Sequence, residues 1–149
     1  MIISRLMQRR VRRSAFILLL LTAPTALAMA AAGTAQQQVL DQYAQQAKTA
    51  DAGFNGFSAD RGKAFFLAQS AAGHGDTPSC STCHTTDPRQ MGHTRAGKEI
   101  NPMALSRTPD RFGDINKTEK WFARNCDTVL GRACTPREKG DFITYMVGL

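Results

Sequence analysis

Apolar residues recur at helical spacing near the start of the mature chain. Leu40, Tyr43, Ala44 and Ala47 lie at positions i, i+3, i+4 and i+7 of one stretch. This pattern predicts an amphipathic helix from Val39 to Ala50. Glycines follow it directly and are expected to end it.

A second helix is predicted to begin with Ser58 as its N-cap. Asp60 lies near its positive end, and residues 64–68 form its apolar body. Gly62 lies one turn before Phe66 on the same face. Its missing side chain marks either a close approach by another backbone or a glycine that the helix merely tolerates.

Two further helices are predicted near the C-terminus. Asn116 and Glu119 have the N-cap and N3 spacing of a capping box, which predicts a helix from Lys117 to about Leu130 that ends at Gly131. The sequence Thr-Pro-Arg-Glu at 135–138 is a second capping box with proline at the first helical position. After His84 the chain has no clear period until about Asp114.

Residues 1–35 have the features of a secretory signal peptide. Five arginines precede an apolar segment from Ala15 to Leu21, and small residues follow it, with cleavage expected between about 28 and 35. Pro24 and Thr25 interrupt the apolar segment, which is too short to span a bilayer comfortably. We therefore favour cleavage over retention as an anchor, and expect a periplasmic protein.

Loss of the leader removes most of the apparent basicity. The full chain has a net charge of +7, but without the five leader arginines 14 Lys and Arg face 12 Asp and Glu, a net charge of +2. The mature chain has no basic run with interleaved aromatic residues. Nucleic-acid binding is therefore not predicted.

The segment Cys80-Ser81-Thr82-Cys83-His84 has the pattern of covalent c-type haem attachment. Cys80 and Cys83 would form thioethers to one haem c, and His84 would supply the proximal ligand to its iron. A zinc site needs a second close pair, and Cys126 and Cys134 are too far apart to provide it. A thioredoxin-like dithiol would need a βαβ pattern, which is lacking.

Cys126 and Cys134 bracket the turn between the last two predicted helices. In an oxidising compartment, with the other two cysteines used by haem, they are expected to form a disulfide. Helices on both sides of a haem motif predict an all-α cytochrome c architecture with a single haem. We divide the mature chain into an N-terminal helix and linker, 36–57, and a monohaem cytochrome c domain, 58–149.

The residues alone leave the sixth iron ligand open. Met91, His93 and Met103 fall in the irregular segment after the haem motif, and each could reach iron. Asn125 is an amide on the helix face that also carries Trp121. A buried amide needs a partner, which could be a backbone group or the iron.

A set of short segments beyond the haem motif is more distinctive. They are Asp76–His84, Thr94–Ile100, Thr108–Phe112, Glu119–Trp121, Arg124–Cys126 and Gly131–Pro136. Together they resemble the SHP (sphaeroides haem protein) family of bacterial c-type cytochromes, from about Asp60 to the C-terminus. The Asn125-Cys126 pair, with a second cysteine eight residues later, is the most distinguishing feature.

This resemblance implies a class I cytochrome c-like fold and an unusual pair of axial ligands, His84 and Asn125. Trp121 lies on the same helix face as Asn125 and is therefore also expected to contact the haem. It implies a protein that binds oxygen and other small ligands because the asparagine leaves the iron on reduction. Dihaem c-type and membrane b-type cytochromes are the implied electron-transfer partners.

Two functions remain to be separated. The first is a redox haem protein that binds O2, NO or CO when reduced. If a proton source lay near the open site, such a protein could also act as an enzyme on oxygen or nitric oxide. The second is a plain electron carrier with a methionine as the sixth ligand.

Overall fold

The computed structural model describes residues 34–149, so all but the last two residues of the predicted signal peptide lie outside the described part. The helices are α1 (Ala35–Ala50), α2 (Ala59–Leu67), α3 (Ser81–His84), α4 (Ile115–Leu130) and α5 (Pro136–Val147). Strands β1 (Gly92–His93) and β2 (Glu99–Ile100) pair antiparallel. The all-α prediction is confirmed. No helix within residues 34–149 is long and apolar enough to cross a membrane.

Helix α1 begins four residues before the predicted start. Thr34 is its N-cap, and the Thr34 hydroxyl accepts a hydrogen bond of 3.2 Å from the Gln37 backbone N–H. The first turn consists mainly of glutamines, which carry no apolar signal. The Gln36 amide is nevertheless buried, because its Nε2 donates to the carbonyls of Pro109 and Arg111, each at 2.9 Å.

The predicted capping box of α4 is wrong. The N-cap is Asp114, whose carboxylate accepts a 2.8 Å hydrogen bond from the Lys117 backbone N–H. Asn116 lies inside the first turn, and the Glu119 carboxylate instead binds Lys139 Nζ at 2.8–2.9 Å. The box failed because an earlier aspartate competes for the cap. The predicted end at Gly131 is confirmed, with a left-handed φ of 65°.

Helices α2 and α5 cross at very short range at Gly62, which was one of the two interpretations that the sequence left open. A Cβ at Gly62 would collide with the Asp141 backbone carbonyl. Beside this crossing, the buried Asp141 carboxylate accepts from the Ser58 backbone N–H at 2.7 Å and from Arg61 Nε at 2.7 Å. The close-approach interpretation of Gly62 is therefore confirmed, and so is Ser58 as N-cap.

Helix α5 organises the aromatic core. The Phe142 ring contacts the rings of Phe66, Phe112 and Phe122 with centroids 5.5–6.1 Å apart, joining α2, the loop before α4, and α4. Its N-terminus has the predicted capping box, in which Thr135 and Glu138 satisfy each other's backbone N–H groups. The core leaves a large cavity on the side of the haem motif.

Candidate haem site

A cavity of about 780 Å³ opens beside the core. That volume lies within the usual range for cofactor sites. The lining includes Cys80, Cys83 and His84 from the haem motif, and Trp121, Phe122 and Asn125 from α4. The predicted attachment residues and the predicted distal residue therefore border the same space.

The haem motif forms the short helix α3 with Cys80 at its N-cap. The His84 backbone N–H donates to the Cys80 carbonyl at 3.2 Å, so the motif makes one helical turn. Residues at i, i+3 and i+4 share a face in such a turn, which turns both thiols and the imidazole to the cavity. The buried Ser79 hydroxyl lies 3.0 Å from Thr82 Oγ1 and holds the turn in place.

The electrostatics of the motif favour neutral donors. Burial, with a smaller effect of the Arg111 charge, lowers the pKa of His84 to about 4. Burial raises the pKa of the Cys80 thiol to about 11. The His84 ring makes no hydrogen bond to residues 34–149, so its nitrogens remain available. A neutral imidazole beside two free thiols fits the needs of haem c.

Asn125 does not lie on a buried apolar surface as expected. Of its helix face, Phe122 and Val129 are buried, whereas Asn125 and Trp121 are exposed and border the cavity. The amide of Asn125 makes no hydrogen bond with the described part of the chain. The backbone partner that the sequence left open is therefore not found, and the amide is available to a group in the cavity.

The three alternative ligands differ in position. Met91 is 38% exposed and lines a separate cavity of about 500 Å³, and His93 is exposed on β1. Met103 is only 8% exposed and borders the large cavity. Its backbone N–H donates to the Pro88 carbonyl at 2.8 Å, four residues after His84. Among these three residues, only Met103 is near the site.

Cys126 and Cys134 lie at disulfide-bonding distance, with Cα atoms 5.6 Å apart, and both are buried. This arrangement joins the residue after Asn125 to the residue before the cap of α5. It supports the predicted disulfide.

Arg111 was missed at the sequence level. Its side chain borders the cavity between Asp110 and Phe112, and Phe112 adopts a left-handed φ of 59° that few side chains tolerate. No local motif marks this arginine, because its environment depends on segments distant in sequence. The segment Thr108–Phe112 contributed to the resemblance but had no assigned role.

The fold and the site together define a monohaem c-type cytochrome with a class I-like helical fold. A family model described as a domain of unknown function, DUF1924, matches residues 52–146. The cytochrome c-type protein SHP of Cereibacter sphaeroides is 53% identical over 88 residues, which cover 59% of this chain and 68% of that protein.

Two solved structures are similar to this chain and support the same family. That of oxidised SHP, described as an oxygen-binding cytochrome c, has a TM-score of 0.72 and 44% identity and covers 78% of this chain and 98% of its own. Oxidised cytochrome c'' of Methylophilus methylotrophus has a TM-score of 0.64 and 33% identity, covering 76% and 93%. The chain belongs to the SHP family of c-type cytochromes, and its cofactor is covalently bound haem c.

Proposed function

We propose that this cytochrome is exported to the periplasm, takes part in electron transfer, and binds O2 or another small ligand in its reduced state. Cys80 and Cys83 carry the haem thioethers, His84 is the proximal ligand, and Asn125 is a displaceable distal ligand. The haem would supply an iron that changes oxidation state by one electron and can bind small molecules.

The observation that carries this proposal is the free amide of Asn125 on the cavity that Cys80, Cys83 and His84 also border. An amide oxygen is a hard, weak donor and prefers ferric to ferrous iron. Reduction would therefore weaken its hold on the iron. The description of oxidised SHP as an oxygen-binding cytochrome c supports the same function for this chain.

The side chains around the cavity suit a site where the distal ligand can leave without water filling the interior. Phe122 and Met103 are buried on the cavity wall, and their apolar surfaces exclude water from the interior. Trp121 is 48% exposed and has the Arg124 guanidinium 5.9 Å from its ring centroid. This exposed rim suits contact with a redox partner, which the family resemblance suggests is a dihaem c-type or membrane b-type cytochrome.

The test is replacement of the distal amide. In Asn125→Ala and Asn125→Leu, haem should stay attached because the thioethers are untouched, and the ferric protein should become high-spin or water-ligated. Ferric absorption and electron paramagnetic resonance spectra measure this change. Asn116→Ala is the matched control, since Asn116 is an exposed amide on the same helix outside the cavity lining. Ferric spectra unchanged in both Asn125 variants would exclude Asn125 as the ligand.

One observation favours a second candidate. Met103 is buried on the same cavity and could serve as a permanent sixth ligand, which would make the protein a plain electron carrier. A thioether ligand would hold ferrous iron firmly and block small ligands.

A further inference from the structure

Arg111 is a half-buried cation without an anion. Its side chain borders the haem cavity, and no carboxylate forms an ion pair with it among the described residues. Burial lowers the pKa of Arg111, and the neighbouring Asp110 charge only partly offsets this. A charge removed from water without a partner costs free energy, so a complementary group is expected in the cavity.

The guanidinium is oriented by neutral acceptors. Arg111 Nε donates to the Pro102 carbonyl at 2.6 Å and Nη2 donates to the Asn101 carbonyl at 2.5 Å. These two bonds fix the plane of the group but supply no full negative charge. Nη1 has no acceptor in residues 34–149 and is not fully buried. The geometry leaves donors free for a planar anion, the shape that a guanidinium binds best.

We propose that Arg111 binds a carboxylate of the haem propionate side chains. Haem carries two such carboxylates, and the thioethers expected at Cys80 and Cys83 hold it in this cavity. The contact forms a charge-assisted hydrogen bond and balances the buried cation. It is independent of the proposed Asn125 ligand, because it concerns the edge of the cofactor and not the iron.

The N-terminal helix positions this arginine. Gln36 Nε2 on α1 donates to the carbonyls of Arg111 and Pro109, and the Arg111 backbone N–H closes a turn onto Thr108 at 3.1 Å. The loop needs such support because Phe112 is held at positive φ. Gln36 is thus a positioning residue, and α1 braces the propionate site.

Arg111→Gln tests the contact in the haem-loaded protein. The ferric haem carries one more positive charge than the ferrous haem, so an unbalanced propionate stabilises the ferric form. The equilibrium constant for one-electron reduction should fall at least threefold. At 59 mV per tenfold change, this lowers the midpoint potential by about 28 mV. The propionate bending band in the resonance Raman spectrum should shift. Ferric ligation should stay as in the parent, which separates this outcome from failure at Asn125.

Three further arms complete the test. Arg111→Lys keeps the positive charge but loses the planar guanidinium. Its midpoint potential should therefore lie close to that of the parent, whereas its Raman band should stay close to that of Arg111→Gln. Gln36→Ala should shift both readouts in the same direction as Arg111→Gln, but less. Arg95→Gln is the charge-matched control, because Arg95 borders the cavity but is 64% exposed and paired with Asp76 at 3.1 Å. Its effect should be much smaller.

The result that would overturn the proposal is a Raman band and potential in Arg111→Gln equal to those of Arg95→Gln. A carboxylate from solution is the other anion that Arg111 could bind. If acetate perturbs the parent spectrum and that response disappears in Arg111→Gln while the propionate band stays unchanged, Arg111 serves an external anion, and the propionate contact is wrong.

Discussion

An amide and a thioether border the same cavity, and they favour opposite oxidation states of iron. The oxygen of Asn125 prefers the ferric ion, whereas the sulfur of Met103 prefers the softer ferrous ion. Their surroundings differ as well. Met103 is buried and tied through its backbone to Pro88 beside the haem motif, whereas Asn125 is an exposed group on α4. We propose that Asn125 binds the iron and that Met103 only packs against the cavity wall.

Met103→Leu should therefore leave the ferric spectrum unchanged. The substitution nearly preserves volume and should cost less than about 1.5 kcal/mol of unfolding free energy. Near-infrared absorption is the measurement, since it reports a methionine-to-iron charge-transfer band. Met91→Leu, outside the large cavity, is the control. A band in the parent that only Met103→Leu abolishes would assign the protein as a plain carrier.

Whether a single site residue could be predicted from sequence depends on how far along the chain its neighbours lie. The grouping of Cys80, Cys83 and His84 could be predicted from sequence because one helical turn fixes their relative positions. Asn125 needed the family resemblance, since its spacing alone allowed a backbone partner. Arg111 escaped notice because its neighbours Asn101 and Gln36 are brought to it only by the fold.

The helices depend on two kinds of contact, caps at their ends and close crossings between them. Sequence located the caps of α2 and α5 correctly at Ser58 and Thr135. It misplaced the start of α4, where Asp114 takes the cap in place of Asn116. It detected neither β1 nor β2, since two-residue strands carry no measurable alternation.

Gly62→Ala should destabilise the crossing of α2 and α5. The new methyl group would collide with the Asp141 carbonyl, and overpacking of this kind costs about 1–3 kcal/mol even though alanine favours a helix. Guanidinium denaturation of the haem-loaded protein measures the loss. Gly75→Ala is the control, because nothing lies within 4 Å of a Cβ built there. Equal stability of the two variants would show that the backbones can separate without cost.

The Cys126–Cys134 connection should limit how far Asn125 moves on reduction. It joins the residue after the proposed ligand Asn125 to the residue before the N-cap of α5, across a separation of eight residues. Cys126→Ala with Cys134→Ala should lower stability by roughly 2–3 kcal/mol on a chain-entropy estimate. It should also weaken ferric Asn125 ligation and speed CO association, because the end of α4 is released.

Stability and ligand kinetics are therefore measured on the same double variant. Loss of stability with parental ferric spectra and CO kinetics would make the disulfide a structural restraint only.

For the whole molecule, the cavity beside the haem motif is the feature that no local pattern contains. Its lining comes from α2, the haem motif with the loop before it, the irregular segment after it, α4, the turn between α4 and α5, and α5. The sequence predicted a long irregular segment without saying which side chains face inward. The fold shows that this segment contributes Met103 and Arg111 to the cavity and leaves Met91 outside it.

The most direct test of the central claim is to compare absorption spectra of the intact haem protein in both oxidation states, with and without CO. The account predicts a low-spin, six-coordinate ferric state that becomes high-spin and five-coordinate on reduction, because Asn125 leaves the softer ferrous iron. CO should then bind stoichiometrically and change the ferrous spectrum. A ferrous protein that stays low-spin and does not respond to CO would contradict the account.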